Sequence, residues 1–166
     1  MNWRIIAKKD FISIEKNPVW GGKVNVSFTP VEVDEDNIKC ISKFFDRDPS
    51  VYDVRLALDI IQKEYDKSDD VNYFLLDNIK YWLDKDTRMS LLNSMAIEKE
   101  HGKTTTILWL GHHHYEIDID YLTSFIKDLE LYAKDTFNVT QSHLADIAAM
   151  DSNTELVKYD ITKNYP

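Results

Sequence analysis

A chain of 166 residues is the size of one domain, or of one domain with a small appendage. Its composition, 43% hydrophobic, 12% aromatic and 30% charged, offers ample apolar surface for a core and excludes a disordered polypeptide. The net charge of −9 argues against non-specific binding to nucleic acid or to an anionic membrane, since both need clustered Lys and Arg.

Residues 1–46 read as a β-rich section. Trp3, Ile5 and Ala7 alternate with Arg4 and Lys8, and Val24, Val26 and Phe28 alternate with Asn25 and Ser27 as in a half-buried strand. Asn17-Pro18 and Gly21-Gly22 mark turns, and Pro30 breaks the last strand or places it at an edge. Ile38, Ile41 and Phe44 or Phe45 fit a helical stripe or a further strand equally well. The section has few apolar residues for a core of its own, so it is expected to be an arm or small subdomain that pairs strands with a partner or packs on the rest.

The best boundary is Asp46–Ser50, with Asp48 as an N-cap and Pro49 at the first helical position. Residues 47–166 are then an α+β domain. Its first helix carries Val51, Val54, Leu58, Ile61 and Tyr65 at alternating spacings of three and four, and Leu56 and Ile60 widen the stripe toward a second surface. Lys67–Asp70 ends this helix.

Next comes an internal repeat, over about 71–101 and 104–137. Leu76 and Leu110, Tyr81 and Tyr115, Asp84 and Asp118, Asp86 and Asp120, and Ser90 and Ser124 coincide at a constant offset of 34 residues. Leu83 with Ile117, Leu92 with Ile126 and Met95 with Leu129 keep apolar character at that offset. Each copy reads as a β-hairpin followed by a helix. The hairpins turn at Asp77-Asn78 and at Gly111-His112. Asp84 or Asp86 caps one helix and Asp118 or Asp120 the other, and Gly102 ends the first in a left-handed conformation. A break is expected at Asn138–Thr140, with Thr140 capping a further helix, and the tail from Asp151 reads as weakly helical, then extended.

The sequence holds no G-x-S-x-G, no phosphate-binding glycine loop, no H-E-x-x-H and no C-x-x-C. The lone Cys40 rules out an intrachain disulfide and reads as a buried small hydrophobe. Residues 1–10 have no apolar stretch of the signal-peptide kind, and the run Ile107–Leu110 is far short of the roughly 20 residues that span a bilayer. Three constellations carry chemistry. On a strand, His112, His114, Glu116 and Asp118 would share one face and could ligate a metal, but the first repeat has Asn78, Lys80, Trp82 and Asp84 there, so a polar strand face explains both copies. His143 with Asp146 is a weaker pair of the same kind. Trp82 and Trp109, with Tyr81 and Tyr115, could form an aromatic surface for a protein or a sugar, although aromatic residues at such positions more often belong to the core.

From Val71 onward a family resemblance covers more than half of the chain. It rests on 68–72 (SDDVN), 81–88 (YWLDKDTR), 93–99 (NSMAIEK), 106–109 (TILW), 129–133 (LELYA) and 137–140 (FNVT), taken in that order. Together these resemble a C-terminal domain of unknown function found in phage and prophage proteins of gut anaerobes, beside tail-fibre-assembly-like sequences. The triple histidine is no part of that pattern. The resemblance implies a non-enzymatic protein of the phage tail region, either a virion component or an assembly chaperone for a fibre. It would lie in the host cytoplasm during assembly or in the virion. Its partners would be other phage structural proteins or further copies of itself, with no nucleic acid, membrane or cofactor, and no catalytic residues carry over. A glycan-binding module using Trp82 and Trp109 is the alternative, and a metal-dependent enzyme at His112 and His114 a remoter one.

Overall fold

The computed structural model describes residues 1–16 and 21–166, so the turn expected at Asn17-Pro18 lies outside the described residues. The protein is α+β, with eight strands and four α-helices among the described residues. It divides into two compact units. One combines residues Met1–Ser68 with Asn138–Tyr165, and the other is Asp69–Phe137. The first 46 residues therefore do not stand apart as an arm, and a boundary at Asp46–Ser50 has to be replaced by this division.

In the discontinuous unit, four antiparallel strands form one sheet in the order β1-β4-β3-β2: β1 (Arg4–Ala7), β2 (Ile14–Lys16), β3 (Val24–Glu32) and β4 (Asn37–Phe45). Residues 37–45, ambiguous by pattern, are thus a strand. Val24, Val26 and Phe28 are buried as their alternation requires, but Asn25 and Ser27 are buried too, so β3 is covered on both faces rather than half-buried. The β3–β4 register shifts between Phe28 and Val31. Thr29 takes a φ of 52° there, and Pro30, which has no N–H to give to a ladder, occupies the interruption.

Helix α1 (Val51–Asp66) begins two residues later than the Asp48-Pro49 signal implies. Ser50 is the N-cap: its hydroxyl accepts from Asp53 N at 3.2 Å, and the Asp53 carboxylate accepts from Ser50 N at 3.0 Å. This reciprocal pair satisfies two donors at once, which Asp48 could not. Val54, Leu58, Ile61 and Tyr65 are buried, whereas Leu56 and Ile60 stay exposed, so α1 buries one face only. Helix α4 (Asn153–Lys158) packs on β3 and α1, burying Leu156 and Val157 in the same core.

The continuous unit is the repeat made visible. Hairpin β5 (Phe74–Leu76) and β6 (Ile79–Tyr81) leads into α2 (Lys85–Glu100), and hairpin β7 (Thr105–Leu110) and β8 (His113–Asp118) leads into α3 (Ile119–Ala149). The 34-residue offset maps β5 onto the end of β7, β6 onto the start of β8 and the first residue of α2 onto that of α3, with no insertion. Asp84 accepts from Thr87 N at 2.8 Å and Asp118 from Tyr121 N at 2.9 Å, so the same residue of each copy is the cap. Asp77 and Asn78 both take positive φ, as a primed two-residue turn demands. Gly102 closes α2 at φ 81°, with Lys103 N donating to Glu98 O and Gly102 N to Lys99 O in a Schellman arrangement. Both copies contribute to one core: Leu83, Met95, Leu108, Leu110, Ile119, Leu122, Ile126 and Leu129.

The expected break at Asn138–Thr140 is absent; α3 runs unbroken through it. Asn, Val and Thr each cost a helix only a fraction of a kcal/mol, about 0.7 at most, and neither Gly nor Pro intervenes. The Thr140 hydroxyl bonds Asp66 at 2.6 Å instead of capping a new helix.

Candidate functional site

Within the continuous unit, Tyr115 joins the two hairpins. Its hydroxyl donates to Asp77 at 3.2 Å in the turn of the first hairpin, and it also meets Tyr81, its own repeat equivalent. Burial of Tyr115, together with Tyr81 and the Asp77 carboxylate, pushes its phenol up to about 12. Phe74 stacks edge-on against Phe125 at 5.1 Å beneath. These aromatic residues are positioning groups between sheet and helices.

The outer face of the second hairpin is different. The register sets Thr105 opposite Asp118, Ile107 opposite Glu116 and Trp109 opposite His114. All six side chains are exposed, while the alternate residues Leu108 and Leu110 enter the core. Ile107 is 54% and Trp109 63% exposed, comparable to Ile5 on β1 at 64% and Phe44 on β4 at 57%. The Trp109 and His114 rings sit 5.0 Å apart at 41°. Thr105 donates to Glu116 at 2.9 Å across the same face. A cleft of about 600 Å³ opens beside the strand, lined by Glu98, Lys103, Thr105, Ile107 and Glu116. On the first hairpin, Leu75 is exposed in the same outward manner at 60%.

The site residues expected from sequence are therefore separated. Trp109 and His114 are neighbours on one exposed face. His112 lies in the turn rather than on the strand, so it leaves the set with His114, Glu116 and Asp118. Asp118 is occupied as a helix cap, and among the described residues no group of three or more His, Cys, Asp or Glu side chains is arranged to hold a metal ion. Trp82 is only partly exposed. Its ring meets Tyr132 edge-on at 6.2 Å, and the Arg88 guanidinium lies 5.2 Å from it. Arg88 is itself buried and donates to Glu130 at 2.7 Å and to the Leu83 carbonyl. Trp82 thus packs against the core with only part of its ring exposed, unlike Trp109.

His143 and Asp146 are brought together, but by a third group. Tyr159 donates to Asp146 at 2.8 Å and lies 2.7 Å from His143 Nδ1, while His143 Nε2 donates to the Lys163 carbonyl at 2.9 Å. Burial, with Asp146 beside it, raises the Tyr159 phenol. Next to it, Tyr165 accepts from the buried Gln62 at 2.6 Å and bonds Thr140 at 2.8 Å. These bonds fasten the C-terminal segment, and no motif in the sequence announces them. Cys40 is fully buried, and burial raises its thiol despite the opposing influence of Ser27 and Ser42.

The fold and this surface define a small α+β protein with a duplicated hairpin–helix unit and one exposed, partly apolar hairpin face. Compared with protein-family models, curated proteins and solved structures, the chain matches none. No helix among the described residues is long and apolar enough to cross a membrane.

Proposed function

We propose that this chain is a non-enzymatic protein of the phage tail region, a virion component or a fibre-assembly chaperone, that acts by binding another protein. The observation that carries the binding reading is the outer face of β7, where Ile107 and Trp109 stand exposed on a strand anchored from behind by Leu108 and Leu110. A rigid Trp on such a platform contributes contact area at low entropic cost, which is why Trp dominates binding hot spots. The tail context comes from the resemblance over Val71–Pro166. Strand donation by residues 1–46 is a poorer mechanism, because those strands already pair with one another and their edges, β1 and β2, are only four and three residues long.

Mass spectrometry of gradient-purified particles from the producing host, beside an affinity pull-down from infected lysate, tests this reading. A fixed copy number in the particle means a virion protein. Recovery of a large fibre protein in the pull-down, without the chain in the particle, means a chaperone. Absence from both removes the reading. Trp109→Ala is expected to lower recovery of the partner at least about tenfold, the loss of a typical hot spot.

A glycan-binding module is the second reading, favoured by the exposed Trp109 ring with His114 beside it. It requires glycan-array signal that Trp109→Ala abolishes while the melting curve stays unchanged.

A further inference from the structure

We infer that β7 is an open strand edge and that it pairs antiparallel with β7 of a second copy of this chain. The hairpin has a two-residue turn, so Leu110 and His113, which flank it, exchange backbone hydrogen bonds. The ladder then alternates: Leu108 with Tyr115, and Thr106 with Ile117, are bonded pairs. The next pair along confirms the phase, since Ile119 N donates to Thr104 O at 2.9 Å. Thr105, Ile107 and Trp109 therefore point their backbone N–H and C=O groups away from β8. The sheet has two strands only, so no further strand receives them.

Among the described residues the other edges are short or charged, and β5 and β6 have only three residues each. β1 and β2 are short and carry Arg4 and Lys16, and the outer edge of β8 carries Glu116 and Asp118. β7 alone is six residues of Thr, Ile, Leu and Trp with no charge, Pro or Gly, the composition that favours intermolecular pairing.

The same three residues select a second copy as the occupant. Antiparallel to itself, the edge has one register in which every outward residue meets another: Ile107 opposite Ile107 of the copy, and Thr105 opposite Trp109 on either side. Each pair exchanges both backbone hydrogen bonds, and a β-branched residue facing an aromatic one is a favourable cross-strand pair. No like charges meet, although the chain carries −9 overall. Because directly opposed residues share a face, the two outer hairpin faces merge into one four-stranded sheet that displays both Trp109 rings. The pairing does not depend on the tail reading: it concerns the edge of β7, whereas partner binding concerns its face.

Sedimentation velocity on the full chain, from micromolar concentration upward, tests it. The expected result is a mass that rises with concentration from 19.5 kDa toward twice that value. Ile107→Lys sets like charges directly opposite one another and should raise the dissociation constant at least about tenfold. Ile107→Pro removes an outward N–H, a change an edge strand tolerates, and should do the same. Leu75→Lys, on the other hairpin, should leave the dimer intact. Mild oxidation of Ile107→Cys should give a disulfide-linked dimer, since Cys40 is buried and does not compete. A monomer at every concentration overturns the inference, as does a dimer indifferent to both Lys and Pro at 107. A dimer that dissociates in these variants leaves self-pairing standing whatever the particle and pull-down experiments return, so the two readings fail separately.

Discussion

At Asp84 a single carboxylate holds a helix start in place. Hydrogen bonds from the Thr87 backbone and side chain keep its carboxyl below the ordinary 3.8. A lowered folded value means the bond contributes in full above the ordinary carboxylate range and is lost as pH falls through the folded value. Asp53, held down by Ser50, follows the same sign. Melting temperature should therefore fall below about pH 4. Asp84→Asn should keep the cap near neutral pH yet flatten part of that acid dependence, because an amide accepts the same bond without titrating. Asp84→Ala should lower the melting temperature by several degrees at neutral pH. Circular dichroism melts from pH 2.5 to 7 check both. Tyr115 runs the opposite way: with its phenol raised to about 12, its contribution is complete below about 10 and disappears as pH rises through 12. Tyr115→Phe should remove that alkaline step. The repeat alignment narrows each cap to two acids, Asp84 or Asp86 and Asp118 or Asp120. Choosing the first of each needs the strand end, since the cap is whichever acid follows the last paired residue with extended backbone. Asp84 does so at φ −65° and ψ 168°.

Between elements, the two hairpin–helix copies share one core and should lose stability in parallel. Met95 and Leu129 are repeat equivalents, 1% and 6% exposed, and both lie in that core. Met95→Ala and Leu129→Ala should each cost about 2–5 kcal/mol in urea unfolding, as deletions of large buried side chains do. Leu131→Ala, on an exposed face of the same helix, should change stability by less than about 0.5 kcal/mol. The periodic pattern located the buried face of α1 at Val54, Leu58, Ile61 and Tyr65, because a buried stripe must recur near 3.6 residues whatever it packs against. It went wrong at Leu56 and Ile60. An apolar residue beside the stripe has no way to reveal whether a neighbour covers it. It also placed a break at Asn138–Thr140, where local propensity is weak and a hydroxyl partner far along the chain, Asp66, decides the outcome.

Across the whole molecule, the two compact units should respond differently to truncation. The core of Asp69–Phe137 is built entirely from residues within that span, so an excised 69–137 fragment should fold with a cooperative transition. Deleting residues 1–46 should instead unfold the discontinuous unit, because Val26, Phe28 and Cys40 are fully buried members of its core. Near-ultraviolet circular dichroism and amide exchange on the two truncations distinguish these outcomes. The amino-acid sequence by itself determined the α+β class, the strands and turns of both hairpins, the duplication and its 34-residue period, since each follows from local patterning and backbone preference. Only tertiary structure decided that the β-rich start belongs with α1 and α4, that Trp82 is partly covered while Trp109 is 63% exposed, and that β7 keeps an open edge. Those outcomes depend on which distant surfaces meet. Two tryptophans on similar hairpins read alike until Tyr132 and Arg88 close over one of them.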